Sequence, residues 1–96
     1  MRVDIATDNG RNIGYCVSTV KKNEGEIDSI FVDQDYRSAG IGRAFMVRAL
    51  AWMDGQHVTV RRVAVAIGNE DALGFYEQFG FLPRQLLLEQ KQNSQK

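Results

Sequence analysis

A chain of 96 residues in which twelve basic side chains balance twelve acidic ones makes about one domain and raises no net field to gather nucleic acid or an anionic membrane. At this size folding buries about 60 to 65% of the surface of the unfolded chain, so the core is modest. One cysteine, Cys16, and one histidine, His57, exclude an internal disulfide and a Cys/His zinc site within one chain. No metal is expected, and Cys16 reads as a small buried hydrophobe.

The first residues lack the apolar segment of a signal peptide, and no apolar run approaches the ~20 residues of a membrane span. A cytoplasmic location is therefore expected, with neither nucleic acid nor membrane as partner. Val3, Ile5 and Thr7 alternate with Asp4 and Ala6, and Asn9-Gly10 supplies a turn. Ile13, Tyr15, Val17 and Thr19 then alternate again, which reads as a β-hairpin. A second turn, "KKNEG", leads to a third strand, "EIDSIFV". Its last residues, Ile30, Phe31 and Val32, are all apolar, which requires either burial on both faces or a bulge. Gly42, Phe45, Met46, Ala49, Leu50 and Met53 then fall on one stripe of a helix of about three turns, with Gly55 as its stop.

The β-branched run "VTVRRVAVAI" reads as a central strand, and "GNEDALGFYEQFG" as a helix capped by Asn69 and closed by Gly80. "FLPRQLLLEQ" reads as a last strand limited by Pro83, and residues 90–96 as a polar tail that frays. The predicted order is β-β-β-α-β-α-β, an α+β domain with a mixed sheet flanked by helices.

Between the third strand and the first helix stands "YRSAGIGRAF". Helix-entry amides have no intrahelical acceptor. Gly40 and Gly42 keep side-chain bulk away from them, and Arg37 and Arg43 add positive charge, so the stretch suits a phosphate or only a tight turn. No Gly-Lys-Ser/Thr follows, which excludes a Walker A loop, and no third glycine completes a dinucleotide fingerprint.

Arg37, Gly40 and Gly42 in "RSAGIG", followed by Asn69, Ala72, Phe75, Tyr76, Gly80 and Phe81 in "NEDALGFYEQFGF", resemble the GNAT superfamily of acetyl-CoA-dependent N-acetyltransferases over about residues 10–82. The resemblance implies a single acetyl-CoA-binding domain over residues 1–96 and acetyl transfer to an amine, on a small molecule or a protein, by direct attack in a ternary complex. It implies that the backbone amides of Arg37, Ser38, Ala39, Gly40, Ile41, Gly42, Arg43 and Ala44 hold the coenzyme pyrophosphate. Ile30, Phe31 and Val32 would pair with the pantetheine arm, with Asn69 near it. Tyr76 would protonate the departing thiolate, and Glu26, eleven residues before Arg37, would act as general base.

The residues alone also admit Tyr76 as a core aromatic, Asn69 as a cap and Glu26 as a solvated carboxylate. His57 reads as solvated, and Trp52 lies off the helix stripe. The rival function is a catalytically silent acyl-CoA-binding or protein-interaction module. Ser38 stands where the family favours glycine, which is tolerable if the residue need not take a positive φ. The strand and two helices that precede the first hairpin in full-length members are absent from this sequence, which is expected to be a fragment or a minimal member. One sheet face, or the edge strand of residues 3–7, is then expected to pair two copies in a homodimer, unless Arg2, Asp4 and Asp8 guard the edge.

Overall fold

Two tight turns set up the sheet. A computed structural model describes residues 1–91, and in it strand β1 (Arg2–Asp8) turns through Asn9 and Gly10 into β2 (Arg11–Lys21). The turn residues have φ of 51° and 79°, the doubly positive pair that matches the twist of a two-residue hairpin. Lys22 and Asn23, at 52° and 66°, make the same kind of turn into β3 (Glu24–Val32). The strands pair antiparallel in the order β1, β2, β3. Strand β4 (Val60–Val63) then adds parallel to β3 at the sheet edge.

Of the two alternatives for the apolar end of β3, the structure has the bulge. Val17 pairs with Ser29 and Ser18 with Ile27, so Asp28 is the extra residue. The bulge resets the alternation: Ile30 and Val32 pack on the core, and Phe31 is 45% exposed on the other face. Full burial on both faces does not occur.

Helix α1 (Ile41–Asp54) crosses between β3 and β4 and buries Phe45, Met46, Ala49 and Met53, all on the predicted stripe. Cys16 and Ile27 meet them from the sheet. Close approach depends on Gly25, where a Cβ would stand 2.8 Å from the sulfur of Met53. Asp4, 9% exposed, anchors β1 to the helix by accepting from Arg2 (2.9 and 3.0 Å) and from Arg48 Nε (3.1 Å). Gly55 ends the helix in a right-handed conformation.

Three expectations need correction. The run predicted as a central strand forms only the four residues of β4, at an edge; beyond Val63 no strand among the described residues supplies partners. The predicted second helix is a 3₁₀ turn, Glu70–Ala72, running into a short helix α2 (Leu73–Glu77). Gly80 closes it as predicted, with φ of 89°. The Gly80 amide donates to Glu77 (3.0 Å) and the Phe81 amide to Tyr76 (3.2 Å), the paired bonds of a Schellman ending. The last predicted strand does not form: residues 81–91 have no regular structure. Pro83 removes a ladder donor, and Leu82, Leu86, Leu87 and Leu88 are 67 to 82% exposed with no surface to cover. The predicted tail lies outside the described residues from residue 92 on.

Candidate functional site

The sheet opens where β4 leaves it. Strands β3 and β4 pair only from Glu24 with Val60 to Ile27 with Val63. Past the Asp28 bulge, the edge of β3 that faces β4, at Ile30, Phe31 and Val32, carries no backbone pairing among the described residues. An unpaired edge inside a wedge accepts an extended molecule as an added strand. Arg37 Nε donates to the Val32 carbonyl at 2.9 Å, so the strand end is tied to the loop that follows it.

That loop, with a 3₁₀ turn at Gln34–Tyr36, delivers the N-terminus of α1 beside the wedge. Gly40 is the N-cap at φ 84°, no side chain caps the helix, and its first turn holds no acidic residue. The amides of Arg37, Ala39 and Ala44 are satisfied by Gln34, Tyr36 and Gly40, whereas those of Ser38, Gly40, Ile41, Gly42 and Arg43 have no acceptor among the described residues. Ser38 takes φ of 75°, so the condition on which a non-glycine residue sits there without strain is not met. A left-handed L-residue costs about 1 kcal/mol, and the loop carries that cost. Arg43 donates to Gln78 (3.3 Å) and lies 5.3 Å over the Phe79 ring. Its charge stays near the helix entry while its side chain ties α1 to the segment after α2.

Gly42 lies beside the Phe75 ring, a proximity that sequence reasoning missed: a Cβ there would stand 3.4 Å from it, ordinary van der Waals contact, so packing alone does not require glycine. Phe75 in turn meets Tyr76 edge-on at 5.2 Å. Tyr76 is 8% exposed within the core cluster. Its hydroxyl has no hydrogen-bond partner among the described residues and is not one of the sealed, unsatisfied polar atoms, so the buried ring presents a reachable phenol tip. Burial, with a smaller contribution from nearby Cys16, pushes the phenol above its ordinary pKa. At neutral pH the group is a proton donor.

Glu26 is exposed. Its neighbours Gly25 and Ile27 are buried, with Gly25 against Met53 of α1, so by alternation Glu26 projects from the opposite face. Tyr76 packs on the α1 side. The two lie on opposite faces of the sheet and are not in contact. Asn69 precedes the 3₁₀ turn, but its side chain makes no cap bond; its amide donates to the Ala66 carbonyl at 3.0 Å. His57 is exposed and Trp52 half-buried against the core. Among the described residues no cluster of three or more His, Cys, Asp or Glu side chains could hold a metal, and no helix is long and apolar enough to cross a membrane.

The profile of the Acetyltransferase (GNAT) family matches residues 2–81, which is most of the chain. The chain belongs to this family, as the two motifs implied. It is 30% identical over 86 residues to an N-acetyltransferase of Methanocaldococcus jannaschii, covering 82% of this chain and 38% of that protein. It is 29% identical over 75 residues to the ribosomal protein bS18 alanine N-acetyltransferase of Escherichia coli, covering 78% and 51%. The chain thus spans about half or less of these curated relatives. Among solved structures, an aminoglycoside N-acetyltransferase in complex with CoA superposes with a TM-score of 0.81 at 15% identity, over 94% of this chain and 75% of that one. Ard1 from Thermoplasma volcanium superposes with a TM-score of 0.77 at 28% identity, over 84% and 55%. The α+β mixed sheet with flanking helices is the fold of this family.

Proposed function

We propose that the chain is an acetyl-CoA-binding domain that transfers the acetyl group to a primary amine by direct attack within a ternary complex. The observation that carries this reading is the juxtaposition of an unpaired strand edge in the β3/β4 wedge with a helix entry whose amides lack acceptors, in a chain of this family. The amides of Ser38, Gly40, Ile41, Gly42 and Arg43 receive pyrophosphate oxygens, reinforced by the helix dipole and by Arg37 and Arg43. Ala39 and Ala44 shape the loop without donating, because their amides are already engaged. Ile30, Phe31 and Val32 hold the amide-bearing arm, and Asn69, whose side chain makes no cap bond, lies near it. The thioester supplies an activated acyl group, so the protein's task is positioning and proton transfer.

Glu26 takes a proton from the ammonium form of the acceptor. The nitrogen then attacks the carbonyl carbon, the C–N bond forms, and Tyr76 gives its proton to the sulfur as the C–S bond breaks. The amide nitrogen passes one of its two protons to the Tyr76 phenolate, which restores the phenol and leaves a neutral N–H amide, and Glu26 releases its proton to solvent. A small amine or a protein amine fits an open wedge equally well, and the reaction runs in the cytoplasm. On one sample, acetyl-CoA should raise the melting temperature, and thiol release should appear with an amine panel. Tyr76→Phe should retain the shift and lose about 10²-fold in kcat. A shift with no turnover for any amine would favour the silent acyl-CoA-binding module instead.

The sheet face opposite α1 exposes Val3, Ile5, Tyr15 and Phe31 around a concavity of about 350 Å³. We read it as the surface through which two copies pair. Sedimentation equilibrium at micromolar concentration should give twice 10.8 kDa; a monomer throughout would remove the dimer.

A further inference from the structure

The first hairpin turn reaches across to the loop before α1. The Tyr36 hydroxyl donates to Asp8 Oδ2, and Arg11 lies 6.0 Å over the Tyr36 ring and pairs with Asp33 at 3.5 Å. The Asp33 amide donates to the Ile13 carbonyl at 2.7 Å. Asp8 and Arg11 flank the Asn9-Gly10 turn, while Asp33 and Tyr36 bracket the 3₁₀ turn. Two side-chain contacts, one stacking contact and one backbone bond therefore join β-hairpin and loop at a point just ahead of Arg37. The loop needs such a hold. It contains Ser38 in a left-handed conformation and ends at an N-cap with no capping side chain, so the short-range bonds from the Tyr36, Arg37 and Ala39 amides leave the amides of Ser38 and Gly40 unheld among the described residues. The hydrogen bond to Asp8 also raises the Tyr36 phenol above its usual pKa.

We propose that Tyr36, held by Asp8 and Arg11, is a positioning residue that fixes the helix-entry amides in their coenzyme-binding arrangement. Neither it nor Asp8 touches the reacting atoms. The inference rests on the coenzyme reading above and concerns the geometry of the same site. Without the clamp the loop samples other shapes, and binding must first select the competent one, which weakens apparent affinity by the fraction lost.

The test uses the full chain and coenzyme A. Tyr36→Phe keeps the ring beneath Arg11 and deletes only the donor; Asp8→Ala deletes the acceptor, and Asp8→Asn restores one. Tyr36→Phe and Asp8→Ala should each raise the calorimetric Kd about five- to tenfold, the double variant no further, and Asp8→Asn should bind nearly as the parent does. At saturating acetyl-CoA kcat should be unchanged. In the ligand-free protein, the amides of Tyr36, Arg37, Ala39 and Ala44 should exchange faster in Tyr36→Phe, while the β1–β2 ladder keeps its protection. Unchanged exchange at those four amides overturns the clamp, as does faster exchange with an unchanged Kd. If the parent binds no coenzyme A, the coenzyme reading fails by itself, and ligand-free exchange still decides whether Tyr36 orders the loop.

Discussion

The two halves of the chain are built to different degrees. From Arg2 to Asp54, three antiparallel strands and a 14-residue helix share one buried layer in which Cys16, Met46, Ala49 and Met53 are wholly enclosed. From Val60 onward there is a four-residue edge strand, a five-residue helix and an extended segment whose leucines face water. Both halves are rich in apolar side chains. What separates them is partner surface: the first half supplies its own second layer, while the later segment has none within the described residues. Tyr76 and its aromatic neighbours, with Val63, Val65 and Ala72, join the second half to the first core. The candidate wedge lies on this seam, where β4 stops pairing with β3.

The contrast is open to direct measurement. Met46→Ala, a truncation in the enclosed layer, should cost about 2 to 5 kcal/mol in denaturant unfolding; a cost near zero would mean that the first half is as loosely held as the second. Asp4→Asn should have an intermediate effect, about 1 to 2 kcal/mol at neutral pH, because it weakens charge-assisted bonds from two arginines. The Arg2 hydrogen bond, aided by Arg48, holds the Asp4 carboxyl below its ordinary pKa against the opposing effect of burial. With the folded value depressed, this stabilisation is complete above the unfolded carboxylate value of about 4 and fades as pH falls through the folded one. The parent should therefore lose stability on acidification more steeply than Asp4→Asn, and parallel melting curves below pH ~4 would deny Asp4 this role. Leu87→Ala should be the mildest, within about 0.5 kcal/mol, since its side chain is already 82% exposed. A loss of several kcal/mol would show that the leucine segment is covered in solution.

What the sequence disclosed follows the same division. Short-range signals were legible: the two hairpin turns, the apolar stripe of α1, the glycine that closes α2 and the two motifs that carry the family resemblance. Each depends on residues a few positions apart, where local sterics and periodicity decide the outcome. Hidden were the features made by distant residues. The Asp8 to Tyr36 bond spans 28 positions and the Arg48 to Asp4 bond 44, and neither leaves a periodic trace. The Gly42 to Phe75 proximity was invisible for the same reason, although both residues were singled out. β-Propensity misled at the C-terminal end, because a strand requires an available edge as well as suitable side chains. Ser38 shows a limit of another kind: its residue type gives no warning of a positive φ that the surrounding loop imposes.

Cys16 is the sole thiol of the chain, lies with no exposed surface between sheet and helix, and has its pKa raised by burial. Thiolate, the reactive species, is thus both scarce and shielded in the closed molecule. An alkylating reagent reaches it only when α1 lifts from β2, so the rate of covalent labelling counts openings of the very layer that distinguishes the two halves. The molecule carries its own reporter of that event, with no cysteine to be introduced.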